Sequence, residues 1–310
     1  MDPFSEIGVF VRVVDKRSFT LAARTMGLTA SGVSRAITRL EKRLGARLLE
    51  RSTRTVSLTS DGAAYYERCA RILRELEDAD GAIASTRSTP RGRLRVDAPS
   101  MLGSYLLGPA IGQFLSAYPD LSVDLSLRDH VINPIAEGVD VVLRMAKTRE
   151  SELVQKHLGT LRNVVVGTPA YFARRGRPMR AEDLRAHDTL GFLVGGTPLP
   201  WKLRDRDGDL ALAPTGRFCS NGIGAILQAV RASHGITQIF EIVVRDEIAS
   251  GALEVVLGPE LQHDIPVSAL YTKEKAQLPK VRVFLDFMLE LMRAGSSHAP
   301  ARRRSLTTRR

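Results

Sequence analysis

The sequence predicts an α+β multidomain protein. A small winged helix-turn-helix domain comes first, then a single linker helix, then a larger two-lobed α/β domain. Three observations predict this. Residues 18–62 hold two short helical patterns broken apart by Gly27, the second strongly basic on one face. Between Gly62 and Ile83, seven positions recur at alternating steps of four and three. Beyond Leu94 the pattern changes to strands alternating with helices. A chain of 310 residues is long enough for two domains with buried cores.

From the amino terminus, Phe4, Ile7, Val11 and Val14 step by three or four, which predicts a helix packed beneath the helix-turn-helix. Phe19 to Met26 forms a shorter one. In Thr29 to Leu44, Val33, Ile37, Leu40 and Leu44 make one apolar stripe. The opposite face carries Ser31, Ser34, Arg35, Thr38, Arg39 and Lys42, side chains that reach base edges and phosphates. Thr29 or Ser31 caps this helix and Gly45 stops it. Geometry alone also fits an ordinary helical hairpin with a solvated charged face. Charge argues for DNA: Lys16 to Arg54 holds ten Lys/Arg against Glu41 and Glu50, a net +8 out of the chain's +11.

Leu48-Leu49 and Val56 to Leu58 read as two strands joined at a Ser52–Thr53 tip, which makes a wing. Arg51 and Arg54 flank that tip and suit a minor groove or a phosphate, with solubility as the plain alternative. Thr59 or Ser60 caps the next helix, which runs to about Ser85 and carries the seam Gly62, Tyr66, Cys69, Leu73, Leu76, Asp80 and Ile83. At 1.5 Å per residue it spans about 37 Å. Such a seam pairs with a second helix or packs on its own domain.

The polar stretch Thr86 to Arg93 marks a domain boundary. The expected divisions are residues 1–58, 59–89 and 90–295, followed by a basic disordered tail, 296–310. In the third division, strands are expected at 94–98, 121–127, 139–145, 154–158, 164–166, 189–192, 201–204, 210–213, 217–219, 236–240, 255–257 and 267–271. Helices fill 101–117, 132–137, 169–175, 182–186, 223–233, 242–249 and 281–292. This alternation implies a largely parallel sheet with both faces covered. It is too much for one sheet, so two lobes are expected: 92–160 with 268–295, and 162–265.

The stretch SFTLAARTMGLTASGVSRAITRLEKRLGARLLERSTRTVSLTSDG resembles the amino-terminal signature of LysR-type transcriptional regulators. The matching pieces are S-F-x-x-A-A, V-S-R, L-E-x-x-L-G, L-L-x-R and V-x-L-T-x-x-G. Ala30, Gly32 and Leu49 depart from the usual Gln or Pro, Ala and Phe. Farther on, RLRVDAPSMLGSYLLGPAIGQFLSAYPDLSVDLSL, VDVVLRM, GTPAYFARRG, GITQIF and LPKVRVFLDFMLEL are similar to the effector-binding domain of that family, whose fold is like that of type 2 periplasmic binding proteins. The resemblance implies that the long helix is a dimerisation helix pairing with that of a second subunit. It implies a homotetramer, a dimer of dimers on a dyad-symmetric operator in double-stranded DNA, and a small-molecule effector between the lobes. The residues expected at DNA are Thr29, Ser31, Ser34, Arg35, Thr38, Arg39, Arg51 and Arg54.

Ligands of two-lobed α/β domains bind at the carboxyl ends of strands. Ser100, Met101 and Leu102 open a helix after the first strand, and Asn221, Gly222 and Ile223 do so in the second lobe. At the first start the Ser100 hydroxyl and the backbone N–H groups of Met101 and Leu102 suit the carboxylate of an organic acid, and the second start does the same. Thr168 closes a strand, and Arg128 and Arg144 stand near strand ends as cationic partners. The alternatives are helix caps and solvated cations.

Other classes find little support. No G-x-S-x-G, Ser-x-x-Lys, H-E-x-x-H or paired-Cys motif points to an enzyme. The Asn221-Gly-Ile-Gly run lacks the third glycine of a dinucleotide fingerprint, since position 227 is Leu. No metal spacing exists among six His and two Cys, so no cofactor is expected. Cys69 and Cys219 read as two reduced thiols, with a regulator switched by cysteine oxidation as the alternative. A transport solute-binding protein would fit residues 92–295 only. MDPFSEIGVF has no basic n-region, and no run approaches the roughly 20 apolar residues of a membrane span, so a cytoplasmic location is expected.

Overall fold

The computed structural model describes residues 3–51, 56–84, 89–145, 153–205, 208–258 and 264–296. The chain forms two compact units, Met1–Thr86 and Arg87–Arg310.

In the first unit, α1 (Pro3–Lys16), α2 (Phe19–Thr25) and α3 (Ala30–Leu44) precede a two-stranded wing, β1 (Leu49–Arg51) and β2 (Val56–Leu58), and α4 (Ser60–Ala84). Val9, Phe10 and Val13 bury the inner face of α1 against Ala22, Ala23, Val33, Ala36, Ile37, Leu40, Leu48 and Leu49. The expected stripe was therefore set to one side. Ile7, Val11 and Val14 are half-buried flanks, because α1 lies in the valley between the other helices and buries more than one row. Ser18 caps α2 through the Leu21 N–H, and Thr29 rather than Ser31 caps α3 through the Gly32 N–H at 3.1 Å. Gly45 ends α3 at φ +67°, where a side chain would be strained.

The wing antiparallel pair runs from Leu49↔Leu58 to Arg51↔Val56. Thr59 caps α4 through the Gly62 N–H at 2.9 Å. The first turns of α4 pack on their own unit: Tyr65 and Tyr66 meet the Phe10 ring, and the Tyr66 hydroxyl donates to Asp15 Oδ1 at 2.5 Å. Gly62 must be glycine there, because a Cβ would sit 1.9 Å from the Leu48 carbonyl oxygen. Farther along, Ile72 and Leu76 are each 49% exposed. The expected seam thus splits: Gly62 and Cys69 are buried within the unit, and Leu76 faces outward. The Asp80 and Ile83 side chains lie outside the described residues, as do the wing tip and the basic tail.

The second unit opens with β3 (Gly92–Ala98). A helical run follows: α5 (Ser100–Leu102), a π-helical segment (Gly103–Leu107) and α6 (Gly108–Ala117). The π segment fits Gly103, where a Cβ would sit 2.1 Å from Leu127. Then come β4 (Leu121–Leu127), α7 (Pro134–Glu137), β5 (Val141–Arg144), β6 (Val154–Leu161), β7 (Asn163–Gly167) and α8 (Pro169–Arg175). After a 3-10 turn at Glu182–Ala186 the chain forms β8 (Gly191–Val194), β9 (Thr197–Pro198), β10 (Trp201–Asp205), β11 (Gly208–Leu212) and β12 (Cys219–Ser220). It continues through α9 (Ile223–Arg231), β13 (Thr237–Phe240), α10 (Glu241–Ser250), β14 (Glu254–Val256), β15 (Ile265–Tyr271) and α11 (Pro279–Ser296).

One lobe is a five-stranded sheet, β4-β3-β5-β15-β6. Leu94, Val96, Val141, Leu143, Val267 and Ala269 pack with Phe114 of α6 and Phe284 and Met288 of α11. The other lobe centres on β13-β7-β14, covered by Tyr171 and Phe172 of α8 and by Ile226, Leu227 and Val230 of α9. The expectation of a largely parallel sheet fails. β3 runs parallel to β4 and β5, but β15 runs antiparallel to β5 and β6, and β7 antiparallel to both its neighbours. The cause is the double crossing: the chain leaves the first lobe after β6 and comes back along β15, against the strands it joins. β15 begins at Ile265, opposite Leu161, so 265–267 belong to the first sheet.

Candidate nucleic-acid interface and ligand cavity

The outer face of α3 presents Thr29, Ser31, Ser34, Arg35, Thr38 and Arg39, all exposed. Their freedom differs. Thr29 Oγ1 is spent on the cap and lies 3.2 Å from Ser31 Oγ. Thr38 donates back to the Ser34 carbonyl at 3.1 Å. Arg39 Nε donates to Glu6 Oε1 at 2.9 Å, and Arg43 Nε stands 3.7 Å from Glu6 Oε2. Arg35 has no polar partner among the described residues. Arg54 and the Arg51 side chain lie outside them.

Two residues that sequence reasoning missed fix this helix in place. Glu6, a buried acid on α1, ties down Arg39. Glu41 Oε1 accepts the backbone N–H groups of Leu48 and Leu49 at 2.9 and 3.2 Å, which joins α3 to the wing. The L-E-x-x-L-G motif was the available signal for Glu41. Nearby, burial pushes the Cys69 thiol pKa up, against the smaller lowering effects of Tyr65 and Arg43. A buried thiol kept protonated is a poor nucleophile.

In the second unit a cavity of about 250 Å³ opens between the lobes. Pro99, Met101, Arg128, Asp129, Arg144 and Met145 line it from the first, and Asn163, Phe192, Val194, Trp201, Gln238 and Phe240 from the second. The topology explains the first set: β4, β3 and β5 are parallel neighbours, so Arg128, Asp97 and Arg144 come from adjacent carboxyl ends. Asp97 is fully buried. Its Oδ2 accepts Arg128 Nε at 2.7 Å and its Oδ1 accepts Arg144 Nη1 at 3.1 Å. Arg128 also donates to Glu137. Burial weighs against the Arg128 charge, but Glu137 and Asp97 outweigh it, and its pKa is raised. In the second lobe, Gln238 exchanges hydrogen bonds with the Lys202 backbone, at 3.0 Å to its N–H and 2.7 Å to its carbonyl, which pins the β10–β11 hairpin and Trp201.

Of the expected effector residues, Met101, Arg128 and Arg144 line this cavity. The Ser100 N–H is already taken by Asp129 Oδ1 at 3.0 Å. Leu102 and Ile223 are buried in the two lobe cores. Thr168 caps α8 through the Tyr171 N–H and bonds Ser233. Asn221 and Gly222 are exposed outside the cavity, and the Gly222 N–H donates to Ser220 Oγ. Among the described residues, no group of three or more His, Cys, Asp or Glu could hold a metal ion, and no helix is long and apolar enough to cross a membrane.

Two family models match the chain: a bacterial regulatory helix-turn-helix protein of the lysR family over residues 4–63, and a LysR substrate binding domain over residues 87–293. The HTH-type transcriptional regulator CrgA of Neisseria meningitidis (serogroup C, strain 8013) is 36% identical over 288 residues, covering 92% of this chain and 95% of that protein. The HTH-type transcriptional activator AaeR of Escherichia coli K12 is 34% identical over 292 residues, covering 94% of each. The solved structure of CrgA, a LysR-type transcriptional regulator from Neisseria meningitidis, superposes with a TM-score of 0.61 at 34% identity, over 93% of this chain and 98% of that one.

Proposed function

Because this chain belongs to the LysR family of helix-turn-helix transcriptional regulators, we propose that α3 reads an operator in double-stranded DNA and that occupancy of the interlobe cavity changes that reading. Ser31, Ser34 and Arg35 meet base edges in the major groove, and Thr29, Thr38 and Arg39 serve phosphates. Arg51 and Arg54 reach the flanking backbone or minor groove. Two subunits pair through α4, where Ile72 and Leu76 are exposed, and two such pairs make a dimer of dimers on a dyad-symmetric site. The effector is a small molecule contacting Met101, Arg128 and Arg144, with an organic acid as the class the arginines favour. The protein makes and breaks no covalent bond, and it works in the cytoplasm, where bacterial DNA lies.

The cavity carries the effector part of this reading, with two arginines from the ends of the strands on either side of β3 sharing it with Phe192, Trp201 and Phe240 of the other lobe. The effector must bind one regulator state better than the other, or it shifts nothing. The test begins by recovering genomic fragments bound by the full-length protein. Binding should weaken steeply with salt, as counterions are released. A reporter behind a recovered operator then reads the response in cells. Val194→Phe, which fills the cavity, should lock the output. An output that still follows growth conditions would remove the cavity from the mechanism. The oxidation alternative draws no support from Cys69, whose thiol is buried and pushed away from its reactive form.

A further inference from the structure

We propose that Glu6 is a positioning residue for operator selection: it holds Arg39 in one pose, so that the guanidinium meets a phosphate only when α3 is docked in one register. The inference rests on the DNA reading above and assigns part of the discrimination to a buried residue of α1.

The row Ser31, Arg35, Arg39 and Arg43 recurs at steps of four along α3. At 3.6 residues per turn, each step of four turns about 40° past the one before. The row therefore winds away from the base-reading end of the helix, and by Arg39 it has come round to α1. There Glu6 receives it. Its Oε1 accepts Arg39 Nε at 2.9 Å, and its Oε2 stands 3.7 Å from Arg43 Nε. One planar carboxylate thus spans two arginines a turn apart. Arg43 is gripped a second time, by the Tyr65 hydroxyl of α4. α3 has one acid of its own, Glu41, and directs it to the wing, so the counter-charge to Arg39 comes from α1.

The Glu6 side chain is 9% exposed, whereas those of Arg39 and Arg43 are 46% and 42% exposed. The acid lies beneath, and the cations reach the surface. Stability is a poor reason for that arrangement. Burying a carboxylate is costly, and pairing it with half-exposed guanidiniums offsets only part of the cost. An apolar residue would pack α1 on α3 at least as well. What the ion pair supplies is one fixed geometry. Nε is the inner edge of a guanidinium, and the two Nη groups form the fork that suits a phosphate. A grip on Nε sets the direction of that fork in advance.

An arginine side chain is long and rich in rotamers, and a loose one finds a phosphate on any duplex. A held one finds it only where the DNA backbone comes to it. The Glu6 charge also stands against two cations that would otherwise draw any phosphate. Both effects favour the operator over other DNA.

The full-length protein is titrated with the recovered operator and with a duplex of the same length and shuffled sequence, each labelled for fluorescence anisotropy. Glu6→Gln keeps the shape of the side chain and removes its charge. It should lower the operator-to-shuffled affinity ratio at least about fivefold, while affinity for the shuffled duplex holds or rises. Arg39→Lys keeps the cation, but one ammonium cannot serve Glu6 and a phosphate as two edges of a guanidinium do. It should lower the ratio likewise, and it decides the matter if Glu6→Gln does not fold. In an Arg39→Ala background, Glu6→Gln should leave the ratio where it is; a further fall there would overturn the proposal. A merely structural Glu6 would weaken both duplexes together and leave the ratio of Glu6→Gln at the wild-type value, which would also overturn it. So would a wild-type ratio in Arg39→Lys. Wild-type protein with equal affinity for both duplexes would overturn the operator reading itself, and this inference with it.

Discussion

Replacing Glu41 tests how the recognition helix is held to the wing. One carboxylate oxygen accepts two backbone N–H groups, from Leu48 and Leu49, both of which are buried residues. Hydrogen bonds to a charged group contribute about 1.5–3 kcal/mol each, and removing the acceptor strands both donors. Because Glu41 is itself half-buried, the lower end applies, and Glu41→Ala should destabilise the first unit by about 3 kcal/mol. Glu41→Gln keeps an acceptor oxygen and should lose only about 1 kcal/mol. At a urea slope of about 1.5 kcal/mol per molar, the Ala variant loses about 2 M of midpoint. Trp201 emission reports the second unit alone, whereas helices of both units contribute to far-UV circular dichroism. The part of the dichroism transition that belongs to the first unit should move, and the emission transition should stay. DNA affinity should fall in the order Glu, Gln, Ala. An Ala variant within about 0.5 kcal/mol of wild type would refute the argument that this carboxylate holds the wing.

Further outcomes follow from the same structure. Arg35→Ala should weaken binding to a recovered operator by about 1–3 kcal/mol and relax sequence preference, measured by competition with random DNA; equal loss on both DNAs would make Arg35 a phosphate contact. Gly62→Ala places a carbon 1.9 Å from a backbone oxygen, so the start of α4 must shift, and about 1–3 kcal/mol of stability should go in thermal unfolding; an unchanged midpoint would show that α4 slides freely. His187 is buried against the Tyr171 hydroxyl, and burial, then the Arg175 charge, lowers its pKa from 6.5. The unfolded chain therefore binds more protons in that window. Stability should fall as pH drops below about 6.5 and level off under the depressed folded value, and His187→Gln should flatten that slope. Parallel curves for the two proteins would exclude His187 as the cause.

The local grammar was legible in the sequence because it depends on neighbours. The α3 boundaries, the Thr29 cap and the Gly45 stop follow from residues a turn apart, and the β4 and α8 spans match their expected ranges. What failed depends on distance along the chain. Glu6 reaches Arg39 across 33 positions, and no periodicity encodes that pairing. Strand direction in the second unit failed for the same reason, since β15 returns from the far lobe. Helix starts at Ser100, Thr168 and Asn221 carry the same capping signal whether or not a cavity lies beyond them. The sequence offered no hint that Asp129 would accept the Ser100 N–H, or that Trp201 and Phe240 would share a cavity with Arg144.

The central claim is that cavity occupancy and DNA binding are one equilibrium. It is tested most directly by titrating small organic acids against full-length protein, alone and on its recovered operator, with emission of Trp201, the chain's one tryptophan and part of the cavity wall, read in both cases. Linkage requires that DNA change the apparent ligand affinity by the same factor by which ligand changes DNA affinity. The account predicts a factor of about 5 or more in each direction. Identical curves with and without operator, for an acid that binds the cavity, would contradict it.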